Sequence, residues 1–367
     1  MKMNKMKQII TVAVFMAVIF GFGIMHFVIK DGDTSASEKR LLAQLPEFTN
    51  EAVLSGEFET DFETYLLDQF PMRDDFRRIK AELKLGLLNQ SDNNGVYVID
   101  DAIYKWENKT DKKQIQYFID KINAICSEHL RGNDVYYSII PDKNYFVAGK
   151  NGYPDIDYDV LMGMVNEGIE SGEYINIFPK LEIEDYYRTD AHWKQESLEG
   201  VVTTIGKAMG VGSRLADWNQ YEEKTLYPFY GVYSGQAALS IKPDTITYLE
   251  NDVTRNAVLT GAEFQGKTTV YSTDDLKMDS YNLFLKGPQA VLEINNPKAG
   301  TNKELIIFRD SFGSSLAPLL IDAYSKITLI DLRYLSSDFV SEFVSFGNAD
   351  VLFVYSTSLV NSGMLLK

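Results

Sequence analysis

From Ile9 to Ile29 the chain carries no formal charge; His26 is the one titratable group in the run, and Lys2, Lys5 and Lys7 precede it. A run of about 20 apolar residues is long enough to cross a bilayer as a helix. Basic residues ahead of it predict a cytoplasmic N-terminus and an exported remainder. Thr34-Ser35-Ala36 offers the small residues of a signal cleavage site, but the run exceeds a normal signal core and Lys30-Asp31-Gly32-Asp33 intervenes. The expectation is a single-pass membrane anchor over residues 1–30, held in the lipid bilayer of the cell membrane. A cleaved signal, with a mature chain starting near Ser37, is the alternative.

Residues 31–90 read as a polar stalk followed by a helical segment, in which Phe58, Phe62, Tyr65, Leu66 and Phe70 recur at spacings of three and four. Pro71 interrupts, and Phe76, Ile79, Leu83 and Leu87 trace a second helix. Over residues 91–367 the periods alternate. Gly95–Asp100 reads as a strand, Lys112–His129 as a helix, Val135–Ile140 as a buried strand ended by Pro141-Asp142-Lys143-Asn144. A helix over 157–170, a strand over Tyr174–Phe178 and a helix through Leu198, Val202, Ile205 and Met209, ended by Gly210, follow. Between residues 220 and 302 the helical pattern disappears into short runs such as Thr245–Leu249, Ala257–Leu259, Thr268–Tyr271 and Val291–Ile294, which predict a β-rich insertion.

The last third is the most regular. Leu305–Phe308, Ile327–Ile330 and Val351–Tyr355 are apolar strands, with helical stretches at Leu316–Tyr324 and Asp338–Phe346 between them. Such alternation specifies a parallel α/β sheet with helices on both faces, and ligands in such sheets bind beyond the carboxyl ends of the strands.

Composition narrows the function classes. Aromatic residues make up 13% and hydrophobic residues 45%, as in a packed globular protein, and the net charge of −16 argues against a nucleic-acid partner. Cys126 is the single cysteine, so no intrachain disulfide can form, and with three His a zinc site is not expected. No EF-hand pattern and no cofactor motif occur; neither metal nor cofactor is expected.

Two short stretches carry candidate chemistry. In Tyr186-Tyr187-Arg188-Thr189-Asp190-Ala191-His192-Trp193, Asp190 and His192 stand two apart, so an extended segment would put both on one side, the carboxylate orienting the imidazole. A nucleophile 119 residues downstream, Ser311 in Phe308-Arg309-Asp310-Ser311-Phe312-Gly313, lies three residues past the end of a strand. There the next helix N-terminus offers backbone N–H groups, near Ser311 and Phe312, to an oxyanion, and Gly313 would let the backbone approach a substrate. Helix capping is the competing use of Asp310, Ser311, Ser314 and Ser315. Tyr186, Tyr187 and Trp193 either stack on sugar rings or fill the core.

These two stretches, with Gly95–Trp106 and Pro141-Asp142-Lys143, resemble the DHHW-type family of exported proteins. They are also similar to the SGNH-hydrolase-like O-acetyltransferases of bacterial alginate acetylation, a likeness running from about residue 40 to the C-terminus. The resemblance implies an SGNH-like fold and a triad of Asp190, His192 and Ser311, with Asn144 as a candidate oxyanion side chain. It implies acyl transfer to a cell-envelope polysaccharide through an acyl-serine, with a membrane-embedded protein delivering the acyl group. An O-acetyl esterase, or a non-catalytic surface binding or assembly protein, would use the same fold. Two departures stand out: Ala191 replaces the first His of the Asp-His-His-Trp pattern, and Arg309 occupies the Gly position of Gly-Asp-Ser.

Overall fold

The computed structural model describes residues 2–367 apart from Ala36, Gln265, Asp275 and Lys277. The third residue of the small-residue triplet, Ala36, therefore lies outside the described residues. The chain divides into two compact units, residues 1–93 with 235–240, and residues 94–234 with 241–367.

The first unit opens with helix α1 (Lys2–Val28), of which the 24 residues Lys5–Val28 are long and apolar enough to cross a membrane. The stretch expected to be a polar stalk instead pairs two short strands, β1 (Thr34–Ser35) and β2 (Arg40–Leu41). Then come α2 (Asn50–Ser55), capped by Thr49, α3 (Glu57–Asp68) and α4 (Arg73–Glu82), which runs on into a widened turn at Leu83–Leu87. Arg40 forks onto Asp68 at 2.6 and 2.7 Å and joins β2 to the end of α3.

In the second unit, β3 (Val96–Ile99) and β4 (Ala102–Lys105) form a hairpin of their own. Helix α5 (Lys112–His129) starts where Asp111 accepts the amides of Lys113 and Gln114. Next are β5 (Val135–Ile140), α6 (Asn144–Val147), α7 (Tyr158–Gly168), β6 (Glu173–Tyr174) and α8 (Glu199–Ala208). The strand expected over Tyr174–Phe178 stops early because Asn176 accepts the Phe178 amide and Pro179 follows, which turns the chain. Beyond α8 lie β7 (Glu222–Phe229), α9 (Val232–Ala237, whose last residues fall in the first unit), β8 (Asp244–Glu250), α10 (Asp252–Asn256), β9 (Val258–Gly261) and β10 (Val291–Asn295). The C-terminal part is β11 (Glu304–Arg309), α11 (Gly313–Leu320), β12 (Lys326–Ile330), α12 (Val340–Phe343), β13 (Asp350–Ser356) and α13 (Thr357–Val360).

Seven strands make the central sheet in the order β6-β5-β13-β11-β12-β10-β9. The first five are mutually parallel, and β10 and β9 add antiparallel at one edge. The β-rich stretch is thus no separate layer: half of it, β7 with β8, is a free-standing hairpin, and the other half extends the sheet. Thr268–Tyr271 contributes isolated bridges and no strand.

Alternation along β11 sends Leu305 and Ile307 into one core with α8 and α11, and Ile306 and Phe308 into another with α5 and α7. Helices therefore cover both faces, as an apolar parallel sheet requires. Cys126 sits in the second core, where burial pushes its thiol up to about 11, so it packs and does not react.

Candidate active site

The two stretches meet at the carboxyl end of β11. His192 Nε2 lies 2.7 Å from Ser311 Oγ, and His192 Nδ1 lies 2.5 Å from Asp190 Oδ1. His192 keeps 13% of its side chain exposed and Ser311 is half-buried, whereas Asp190 is buried. The result is a serine, an imidazole and a carboxylate in line, open to solvent at the serine end.

The local route to this geometry differs from an extended segment. Tyr186 and Trp193 bridge antiparallel, and between them the chain bends into a loop closed by the Tyr187 amide on the His192 carbonyl at 3.1 Å. Asp244, at the start of β8, bends it: its carboxylate accepts the amides of Arg188 and Thr189 and the Thr189 hydroxyl, at 3.1, 2.8 and 2.6 Å. Asp190 then accepts the amide of His192 through Oδ1 at 3.1 Å and that of Val232 through Oδ2 at 2.7 Å. Both oxygens are held, so the carboxylate faces the ring in one orientation.

Lys143 supports the loop from below. Its Nζ lies 2.7 to 3.1 Å from the carbonyls of Ile103, Tyr187, Arg188 and Asp190, and burial pulls its pKa down to about 7 against the pull of Asp190 and Asp244. Gly231 allows a close approach here: a Cβ on it would stand 2.2 Å from the Thr189 carbonyl oxygen and 2.4 Å from Asp190 Cβ.

On the nucleophile side, Asp310 accepts the Phe312 amide at 3.0 Å and the Ser356 amide at 2.8 Å, tying the turn to the end of β13. Trp193 Nε1 donates to Ser315 Oγ at 2.9 Å and Gln195 Nε2 to the Ser315 carbonyl at 2.7 Å, which fixes the histidine loop against α11. Tyr281, from the stretch between β9 and β10, stacks on the imidazole at 4.0 Å and 12°, its hydroxyl 3.1 Å from Ser315 Oγ. Sequence reading missed Tyr281, Gln195, Gly231 and Asp244. None of them neighbours a motif except Gln195, two residues past Trp193.

Four expectations need correction. Tyr187 and Trp193 are fully buried in the first core, so neither offers a ring face to a sugar. The Phe312 amide is taken by Asp310, and the Gly313 amide by the Asp310 carbonyl at 3.1 Å. Among the described residues, that leaves the Ser311 amide as the uncommitted donor of the turn. Gly313 makes room for Arg309 and not for a substrate: a Cβ there would lie 2.6 Å from Arg309 Cβ. Asn144 is buried, its amide donating to the Lys105 carbonyl and accepting from the Tyr97 hydroxyl, both at 2.8 Å. It pins the β3–β4 hairpin.

An SGNH-like α/β fold carrying a serine–histidine–aspartate array at a strand's carboxyl end is the class that these features define. The model of the DHHW protein family matches residues 174–330, a stretch holding all three side chains, and the resemblance read from the two motifs holds there. Among solved structures, a DHHW family protein from Eubacterium siraeum is 21% identical with a TM-score of 0.61, over 75% of this chain and 94% of that one. Bacillus cereus PatB1 with a sulfonyl adduct is 16% identical with a TM-score of 0.56, over 74% and 97%. The O-acetyltransferase domain of Pseudomonas putida AlgJ is 13% identical, over 73% and 92%, with a TM-score of 0.44. No curated protein matches the chain.

Proposed function

We propose that this protein is an extracytoplasmic, membrane-anchored acyltransferase that moves an O-acetyl group onto a cell-envelope polysaccharide through an acyl-Ser311 intermediate. The observation that carries the reading is the unbroken chain from Asp190 through His192 to Ser311, at 2.5 and 2.7 Å. A membrane-embedded protein handing over the acyl group is the partner that the family resemblance implies for an anchored enzyme of this kind.

In the first half-reaction Ser311 Oγ attacks the acyl carbonyl and its proton passes to His192 Nε2. The imidazolium that forms is stabilised by Asp190 and by the Tyr281 ring against its face. The Ser311 amide is placed to meet the oxyanion. His192 returns the proton to the leaving group as the carbon–oxygen bond breaks. A polysaccharide hydroxyl then attacks the acyl-serine, its proton taken by His192 and given back to Ser311 Oγ. Water in place of the sugar hydroxyl makes the same machinery an esterase.

A chromogenic acetyl ester tests the chemistry with the full-length protein in detergent. Ser311→Ala and His192→Ala should each lower turnover at least about 10³-fold, with Asp190→Ala retaining roughly a hundredfold more activity than either. Turnover that survives Ser311→Ala unchanged rules the covalent route out. No turnover by a folded wild type would favour a non-catalytic surface protein that keeps the fold.

A further inference from the structure

Within the first unit, α3 and α4 carry apolar stripes that the chain covers only in part. On α3 Leu66 and Leu67 are exposed, as is Phe70 just past its end; on α4 and its widened turn, Phe76, Ile79, Leu83 and Leu87 recur at three and four residues and are exposed too. A water-soluble helix turns such a stripe inward, and exposed apolar surface of this extent marks an interaction site.

What lies beside these stripes is α1. Phe22 stacks on Phe70 at 5.3 Å and meets Phe76 edge-on at 5.5 Å, while His26 lies edge-on to Tyr65 at 5.3 Å. As α1 ascends, its partners on and just past α3 descend in number, so α3 runs antiparallel to α1 and brings its C-terminal end toward the middle of the apolar run. Phe22 stands six residues before the end of α1, which is about 9 Å at 1.5 Å per residue. That depth matches the ~5–10 Å at which amphipathic helices rest in a bilayer interface. Charge agrees with depth. Residues 73–87 hold five basic side chains and three acidic ones, within a chain of net charge −16; Arg73 and Arg77 also pair with Glu38 and Arg78 with Asp75, while the acidic Glu57, Glu59 and Asp61 occupy the far end of α3.

We propose that the α3–α4 hairpin is seated in the outer leaflet of the membrane, its apolar stripe among acyl chains and its basic residues among anionic headgroups. The seat rests on α1 spanning the bilayer, and the proposed chemistry is independent of it. Together the two would hold the protein by a span and a collar, which limits its tumbling about the single helix.

Full-length protein in vesicles of phosphatidylcholine and phosphatidylglycerol tests this by nitroxide labelling, with Cys126→Ala as background. Labels at Ile79→Cys, Leu83→Cys and Leu87→Cys should be more accessible to oxygen than to a water-soluble nickel chelate, by a ratio below that of a label at Phe15→Cys, which sits deeper in α1. Glu59→Cys should show the reverse. Nickel accessibility at the stripe equal to that of Glu59→Cys, with Phe15→Cys still in lipid, overturns the seat and leaves the anchor standing; Phe15→Cys in water overturns both. Exclusion of oxygen and nickel alike at the stripe also overturns the seat, since it means a protein partner or second copy covers it. Should labelling perturb folding, Ile79→Trp should be quenched by brominated acyl chains, and absence of quenching counts against the seat.

Discussion

Lys143 shows how one buried residue ties the protonation of the site to its stability. Its ammonium meets four carbonyls with three N–H bonds, and burial lowers its pKa from 10.5 to about 7. Between those values the unfolded chain binds the proton that the folded chain has released, so stability rises with pH from about 7 toward 10.5 and is lost as pH falls back through 7. Lys143→Met should unfold at least about 2 kcal/mol more easily, because it leaves buried carbonyls without donors. It should also remove that slope, so that the denaturation midpoints of wild type and variant diverge as the pH is raised. Midpoints that run parallel from pH 7 to pH 10 would contradict the assignment. The sequence marked Pro141-Asp142-Lys143 as a strand end and as part of the family resemblance, and gave Lys143 no role of its own. Asp190, His192 and Ser311 were legible because a strand–turn–helix setting and a two-residue spacing are local signals. The partners of Asp190 were not: Val232 lies 42 residues away and is joined through its backbone, which side-chain identity does not report.

Elements bring these residues to one place by different means. Strand β11 delivers Ser311, and the loop between β6 and α8 delivers His192, and Gln195 fastens the second to the helix that follows the first. Its carboxamide donates to the Ser315 carbonyl and accepts the Leu249 amide at 2.8 Å and the Tyr271 hydroxyl at 3.2 Å. Gln195→Met keeps the volume but strands three buried groups, and should cost about 2–4 kcal/mol in denaturant unfolding. A loss under about 0.5 kcal/mol would show that the loop is held some other way. The parallel core was readable from apolar runs bounded by helical periods. The antiparallel strands β9 and β10 were harder, because their pairing is fixed by the long-range register of Leu292 with Leu329 and Gly261. Tyr281 followed the same pattern: it lies in irregular chain that only the closed sheet lays over His192.

For the molecule as a whole, Lys2, Lys5 and Lys7 ahead of the apolar run are the basis of the proposed orientation. Protease added to intact cells should digest residues 31–367, and protection of that region would reverse the proposed orientation. Recovery of a chain beginning near Ser37 would replace the anchor by a cleaved signal. Either way, covalent capture tests whether Ser311 is an activated nucleophile. Full-length protein treated with a sulfonyl fluoride and mapped by peptide mass spectrometry should carry one adduct, on Ser311, formed at least about a hundredfold more slowly in His192→Ala. An unmodified Ser311 in the folded wild type, or labelling as fast in His192→Ala as in wild type, would contradict it.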